Sequence, residues 1–141
     1  MIRIKETGRP RIEIPRFSQE QMHEIGQFSV DGELQRLGHG INAQDQPSRP
    51  LKPSYAKQKE KAGAQPVRDL RLTGAMLTAR QVTEVSDNTV TVGFTDPLQE
   101  AKAAHNEQIE PMLGVSPENK RQLDEYVHET FRANVRKING R

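Results

Sequence analysis

Near the N-terminus apolar and polar residues alternate, as Ile2-Arg3-Ile4 and Arg11-Ile12-Glu13-Ile14, around Thr7-Gly8-Arg9-Pro10. That period is a strand's and the Gly-Pro stretch is a turn's, so residues 1–16 predict a short hairpin or an extended arm. From Ser18 the period lengthens. Ser18 with Gln21 is a capping-box pattern opening a helix. Met22, Ile25 and Phe28 share one face of it, and Val30, Leu34, Leu37 and Ile41 a nearly opposite one. Either the helix breaks near Asp31-Gly32 or it is continuous and packs on two partners, as suits a subunit of an assembly.

Between Gly38 and Val67 the pattern dissolves into Gly, Pro, Gln, Ser and Lys, apart from a helix expected from Pro53 to Ala62 and stopped by Gly63. A loop of this length is ordered by partners or mobile in a free monomer. A short helix is expected from Thr73 to Ala79. Strands are expected from Arg80 to Val85 and from Thr89 to Phe94 around a Ser86-Asp87-Asn88 turn, because Val90, Val92 and Phe94 alternate with Thr91 and Gly93. Asp96-Pro97 opens a helix over 97–107 with Leu98, Ala101, Ala104 and His105 on one stripe, expected to face a sheet or helix. Residues 109–115 read as an edge strand, since Pro111 excludes a central one. Ser116-Pro117-Glu118 starts a last amphipathic helix, ended by Gly140, whose Leu123, Tyr126, Val127, Phe131, Val135 and Ile138 are expected to pack on the sheet. The fold class is α+β: a small antiparallel sheet, made of a hairpin at about 80–94 plus edge strands, packed against a long helix. It carries an extended N-terminal arm and a long polar loop over 38–70, all within a single domain spanning 1–141.

Composition adjusts this picture. Apolar residues make up 33% of the chain, with four Phe, two Tyr and no Trp, so the core is expected to be small and the arms ordered against neighbouring copies. The absence of cysteine excludes disulfides, thiolate metal sites and a cysteine nucleophile. The apolar runs are too short for a membrane span, and Met1-Ile2-Arg3-Ile4-Lys5 lacks the apolar stretch of a signal peptide, so no membrane partner is expected.

The net charge of +2 hides blocks: residues 1–16 carry net +3, 17–48 net −4, 49–80 net +6 and 81–141 net −3. Blocks of opposite sign can hold a chain against its neighbour. The basic block, with Arg49, Lys52, Lys57, Lys59, Lys61, Arg68 and Arg71, can instead face nucleic acid. With Tyr55 as the only interleaved aromatic, base-specific recognition is not expected.

No constellation of catalytic groups emerges, and an enzyme is not expected. Gly38-His39-Gly40 lacks the further glycine and the helix of a phosphate loop. His23, His39, His105 and His128 are far apart in sequence, and His128 with Asp124 reads as a surface pair rather than a metal site. Glu118, Asp124, Glu125 and Glu129 read as a solvated helix face. Ser54, Ser86 and Ser116 sit at turns or caps with no nucleophile-elbow pattern. His105-Asn106 stands out, although a helix end capping its own carbonyls or touching a neighbour is the favoured explanation. No catalytic residue, metal ligand or cofactor is therefore assigned.

Residues 51–113 carry an ordered series of short motifs. Pro50-Leu51 precedes Pro53-Ser54-Tyr55 and Lys57 or Lys59. Leu70-Arg71-Leu72-Thr73-Gly74-Ala75-Met76-Leu77 follows, then Val90-Thr91-Val92-Gly93. Ala101 or Ala104 leads to His105-Asn106, and Pro111-Met112-Leu113-Gly114-Val115-Ser116 closes the series before the last helix. In this order the chain resembles the phage virion-morphogenesis family, which includes tail-completion and head–tail joining proteins. The resemblance marks Leu51, Leu70, Leu72, Thr73, Gly74, Leu77, Gly93, His105, Asn106, Pro111, Leu113 and Gly114 as fold or interface positions. The chain departs from the family at Glu107-Gln108, where a Gly is usual, at Glu110, where Arg is common, and at Met112, where an aromatic is preferred.

The resemblance implies a non-enzymatic structural protein of the virion neck or tail, assembled in the host cytoplasm. It implies a homo-oligomeric ring, a hexamer or dodecamer, that joins the portal or head–tail connector to the tail terminator or tail tube protein. Such a ring leaves a channel for DNA and touches the packaged DNA non-specifically. The alternative is a basic nucleic-acid-binding module using residues 49–80.

Overall fold

A computed structural model describes residues 16–71 and 74–140. Helices α1 (Gln19–Gly38), α2 (Pro53–Lys61) and α3 (Ala75–Thr78) lead into strands β1 (Arg80–Val85) and β2 (Val90–Phe94). Helices α4 (Pro97–Ile109) and α5 (Pro117–Ile138) follow. The fold is α+β, as the periodicity predicted. The N-terminal arm or hairpin, Leu72 and Thr73 lie outside the described residues.

Helix α1 begins with the reciprocal bonds its sequence predicted: Gln21 N–H donates to Ser18 Oγ, and Ser18 N–H donates to Gln21 Oε1, each at 3.0 Å. It does not break at Asp31-Gly32. Both of its partners belong to its own chain. One side lies on the β1–β2 hairpin at Gly26, where a Cβ would collide with the methyls of Val82 and Val90. Another side packs on α5, where Phe28 stacks on Tyr126 with ring centroids 4.4 Å apart. The long helix that lies on the sheet is therefore α1, and α5 does not take the place across the sheet that its amphipathicity suggested. Gly26 lets the α1 backbone come close to the strands, and α5 is left to pack on the helix.

Strands β1 and β2 pair antiparallel from Arg80–Phe94 to Val85–Val90, with a bulge between Val82 and Glu84. Gly93 lies beside that bulge, where a Cβ would sit 3.2 Å from the Thr83 side chain. Among the described residues the sheet has no third strand. The edge strand expected over 109–115 is absent among the described residues, because side chains, and the Ala43 N–H of a loop, take up its backbone polar groups in place of a neighbouring strand. Met112 and Leu113 N–H donate to Glu107 Oε1 at 2.7 and 2.9 Å, Gly114 N–H to Glu33 Oε2 at 2.5 Å, and Ala43 N–H to the Pro111 carbonyl at 3.0 Å.

One further expectation changes. Helix α4 starts on its Asp96 cap as predicted, but it buries Gln99 and Ala103, and Leu98, Ala101, Ala104 and His105 face outward. Within residues 38–71 the helix expected from Pro53 to Ala62 is present as α2, and an Ile41–Pro47 bridge and side-chain bonds structure the rest of the segment. The apolar core is small: Leu37, Leu77 and Met112, with Leu34, Leu70 and Leu113 packed around them.

Candidate assembly interface

Buried polar side chains shape the surface as much as the apolar core does. On α1, Glu33 and Arg36 stand one turn apart, each under 10% exposed. Glu33 receives a two-pronged contact from Arg80, Nε to Oε1 at 2.7 Å and Nη2 to Oε2 at 3.1 Å. The same guanidinium lies 5.0 Å from the centroid of the Phe94 ring, so one cation ties α1 to both strands. Arg36 reaches the other way. Its Nη1 donates to the Ile41 carbonyl at 3.0 Å, its Nη2 to the Met112 and Gly114 carbonyls at 2.8 and 3.0 Å, and its Nε to Asn119 Oδ1 at 2.8 Å. Burial pushes this guanidinium below its ordinary pKa, while Glu33, Asp45 and Glu107 pull it back up. A charge here costs desolvation, which four hydrogen bonds and nearby carboxylates offset.

Glu110 is the second hub. It accepts from Asn42 Nδ2 at 3.0 Å and from Arg49 N–H at 2.9 Å, and Arg68 Nε stands 3.4 Å away. Asn42 in turn accepts from the Gln44 and Gln46 N–H groups, turning the chain tightly at 42–46. Asp45 accepts from Glu118 N–H at 2.8 Å, which fixes that turn to the start of α5. The third hub is Lys59 with Asp69, a fully buried pair at 2.5 Å, with Lys59 Nζ also donating to the Val67 carbonyl at 2.6 Å. One oxygen of Asp69, Oδ2, has no hydrogen-bond partner.

The motif positions fall into three groups. Leu70, Leu77 and Leu113 converge on Leu37 and Met112 in the core, and Leu51 is half-buried elsewhere. Gly74 and Gly114 adopt left-handed backbone, φ +88° and +103°, at the start of α3 and in the loop Arg36 clasps. Gly93 supports the bulge, and the Pro111 carbonyl holds Ala43. His105 and Asn106 form no site: His105 is exposed, and Asn106 Nδ2 bonds the Lys102 carbonyl of its own helix at 2.9 Å.

The basic residues expected to face DNA or a partner divide as well. Lys59 is buried and Arg68 mostly so, and each stands beside an acid, so neither belongs to an outward-facing set. Arg49 is exposed but holds the Ile109 carbonyl at 3.1 Å. Lys52, Lys57, Lys61 and Arg71 remain on the surface.

Periodicity did not reveal Glu33, Arg36, Asn42, Glu107, Glu110 and Asn119 as a frame. A signal existed for Glu33, which lies at helical spacing between Val30 and Leu37, on a stripe otherwise apolar. Glu107 and Glu110 are two of the frame's acceptors, and Met112 is a core residue.

Outside this frame the surface keeps large apolar groups. Leu98 is 60% exposed, Val115 50%, and Phe131 and Ile109 42% each. Among the described residues no three His, Asp or Glu side chains are grouped so as to hold a metal ion, and no helix is long and apolar enough to cross a membrane. No protein-family model matches the chain, and neither a curated protein nor a solved structure matches it.

Proposed function

We propose that this chain is a structural virion protein of a tailed phage, a neck or tail-completion subunit that closes with its own copies into a ring. The ring joins the head portal or connector to the tail and leaves a channel for DNA. The observation that carries this reading is the mismatch between a core built on Leu37, Leu77 and Met112 and the large apolar side chains left outside it on α4, on α5 and between them. Exposed groups of this size are covered in assemblies. The hairpin adds support, because a two-stranded sheet offers outer edges on which a neighbour can pair. A head-to-tail contact between unlike faces then closes into a ring when the rotation allows.

The role requires precise loop shapes rather than bond chemistry, and the buried frame suits it. Arg36, Glu33 and Glu110 hold the backbone of residues 41–49 and 110–116 in place beside the core residues Met112 and Leu113. Lys52, Lys57, Lys61 and Arg71, each exposed, suit sequence-blind contact with phosphates in a channel.

The test is addition of the purified protein to tails that lack it, followed by scoring of tails joined to heads. Joining restored by this chain supports the reading. Absence of joining, together with DNA binding whose log–log salt slope is several units, points to the nucleic-acid-binding alternative.

A further inference from the structure

We infer that the acidic outer stripe of α1 in one copy of the chain receives the basic outer face of α2 from the next copy, with Glu20 and Glu24 against Lys57 and Lys61. The inference rests on the ring reading and names a pair of unlike faces that a head-to-tail contact joins.

On α1, Glu20, Glu24, Gln27, Asp31 and Gln35 follow one another at steps of four and three, so they line one stripe of the helix, and each is exposed. The stripe holds three carboxylates and no basic residue. It is kept outward by the packing of α1 on the hairpin and on α5. On α2 the buried side is Lys59, fixed by Asp69 at 2.5 Å and by the Val67 carbonyl at 2.6 Å. Lys57 and Lys61 stand two positions to either side of it, about 160° away round the helix, so both point outward, one turn apart. Glu60 is exposed on one flank and pairs with neither lysine.

Unused charge picks out these two faces. Among the described residues, none of Glu20, Glu24, Asp31, Lys57 and Lys61 takes part in an ion pair. Helix α5 differs, because its exposed Lys120, Arg121, Glu118, Asp124 and Glu125 pair along their own helix. The spacing also matches: Glu20 to Glu24 and Lys57 to Lys61 each span about 6 Å of helix axis, so both pairs can close together. A polyanion would satisfy α2 and leave the α1 stripe bare, whereas a second copy satisfies both. Lys57 and Lys61 then serve the neighbour, and Lys52 and Arg71 remain for phosphates. Exposed pairs of this kind add little affinity and instead decide which faces meet.

The test reverses the charges. Lys57→Glu with Lys61→Glu, and separately Glu20→Lys with Glu24→Lys, each set like against like. Each variant is expected to need about tenfold more protein than the unaltered chain to reach the assembled mass in light scattering. Mixed in equal amounts, the two are expected to assemble at the unaltered chain's concentration, since acidic α2 then meets basic α1 and the reverse. Circular dichroism verifies that both variants fold. On the unaltered protein, carbodiimide, which joins an amine to a carboxylate in contact with it, is expected to link Lys57 or Lys61 to Glu20 or Glu24 between isotope-labelled and unlabelled copies. Assembly of both variants as readily as the unaltered chain, or those links forming only within one chain, overturns the docking and leaves the ring standing. An unaltered protein that stays at 16.0 kDa overturns both. Loss of DNA retention by the Lys57→Glu, Lys61→Glu variant with no rescue on mixing assigns α2 to nucleic acid and overturns the docking.

Discussion

The helix–hairpin half of this molecule and its loop half are held by different forces. In the first, α1, β1, β2 and α5 meet through Gly26 against Val82 and Val90 and through Phe28 stacked on Tyr126. In the second, residues 41–71 and 110–116 give Leu70, Met112 and Leu113 to the apolar core, and charged side chains clasp the backbone around them directly. Apolar contact is tolerant of direction and spreads its energy over many atoms. A clasp such as Arg36 concentrates it in one side chain that no neighbour can replace. The first half is thus a scaffold that survives most surface changes, and the second is a set of shaped loops that a single substitution can release.

The largest effect expected from breaking this contrast is that of Arg36→Met. It leaves the Ile41, Met112 and Gly114 carbonyls and Asn119 Oδ1 without their donor, at a cost of about 3–5 kcal/mol. The urea midpoint measures the total. Hydrogen exchange should rise at 41–49 and 110–116 before it rises in β1 and β2. Next comes Lys59→Met, which strands a buried Asp69 carboxylate and should cost about 3 kcal/mol, whereas adding Asp69→Asn should recover most of that loss in thermal melts. Asparagine keeps an acceptor for Arg71 N–H, now bonded to Asp69 Oδ1 at 3.0 Å, without a charge to strand.

On the scaffold side, Gly26→Ala should cost about 1–3 kcal/mol by pushing α1 off the hairpin, with exchange rising in β1 and β2 and not in the clasped loops. The smallest effect belongs to Glu118. Its hydrogen bond from Arg121 holds the carboxyl below its ordinary value. Its contribution is therefore complete above the ordinary carboxylate range and fades as pH falls through the lowered value. The pair is fully exposed, so Glu118→Gln should leave the melting curve nearly unchanged. A side-chain NMR titration should still show the carboxyl titrating below a control Glu.

The scaffold was legible in the sequence because its signals are local. Ser18 with Gln21, Asp96-Pro97 and Ser116-Pro117 each mark a helix start with the atoms that make the cap, and Val90, Val92 and Phe94 state a strand by their period. Which face an element buries was less legible. On α4 the leucine and alanines of 98, 101 and 104 are the more apolar side, yet Gln99 and Ala103 turn inward toward α3 and β2. The clasps were the least legible, since Glu33, Arg36, Lys59 and Glu110 have the chemistry of surface residues, and Glu33, Arg36 and Glu110 meet partners some 50 to 80 residues away in sequence. Residues 109–115 show the consequence. Ile109-Glu110-Pro111-Met112-Leu113-Gly114-Val115 reads as an edge strand until Glu107, Glu33 and Arg36 are seen occupying the groups a strand would pair.

The large apolar side chains exposed on α4, on α5 and between them are what the ring proposal rests on, so the most direct measurement is the molar mass of the purified protein by light scattering over a wide concentration series. A ring subunit should give one discrete multiple of 16.0 kDa that holds its value over the upper part of that series. A mass that stays at 16.0 kDa at every concentration would contradict self-closure and leave Leu98, Ile109 and Val115 to be explained by a different partner.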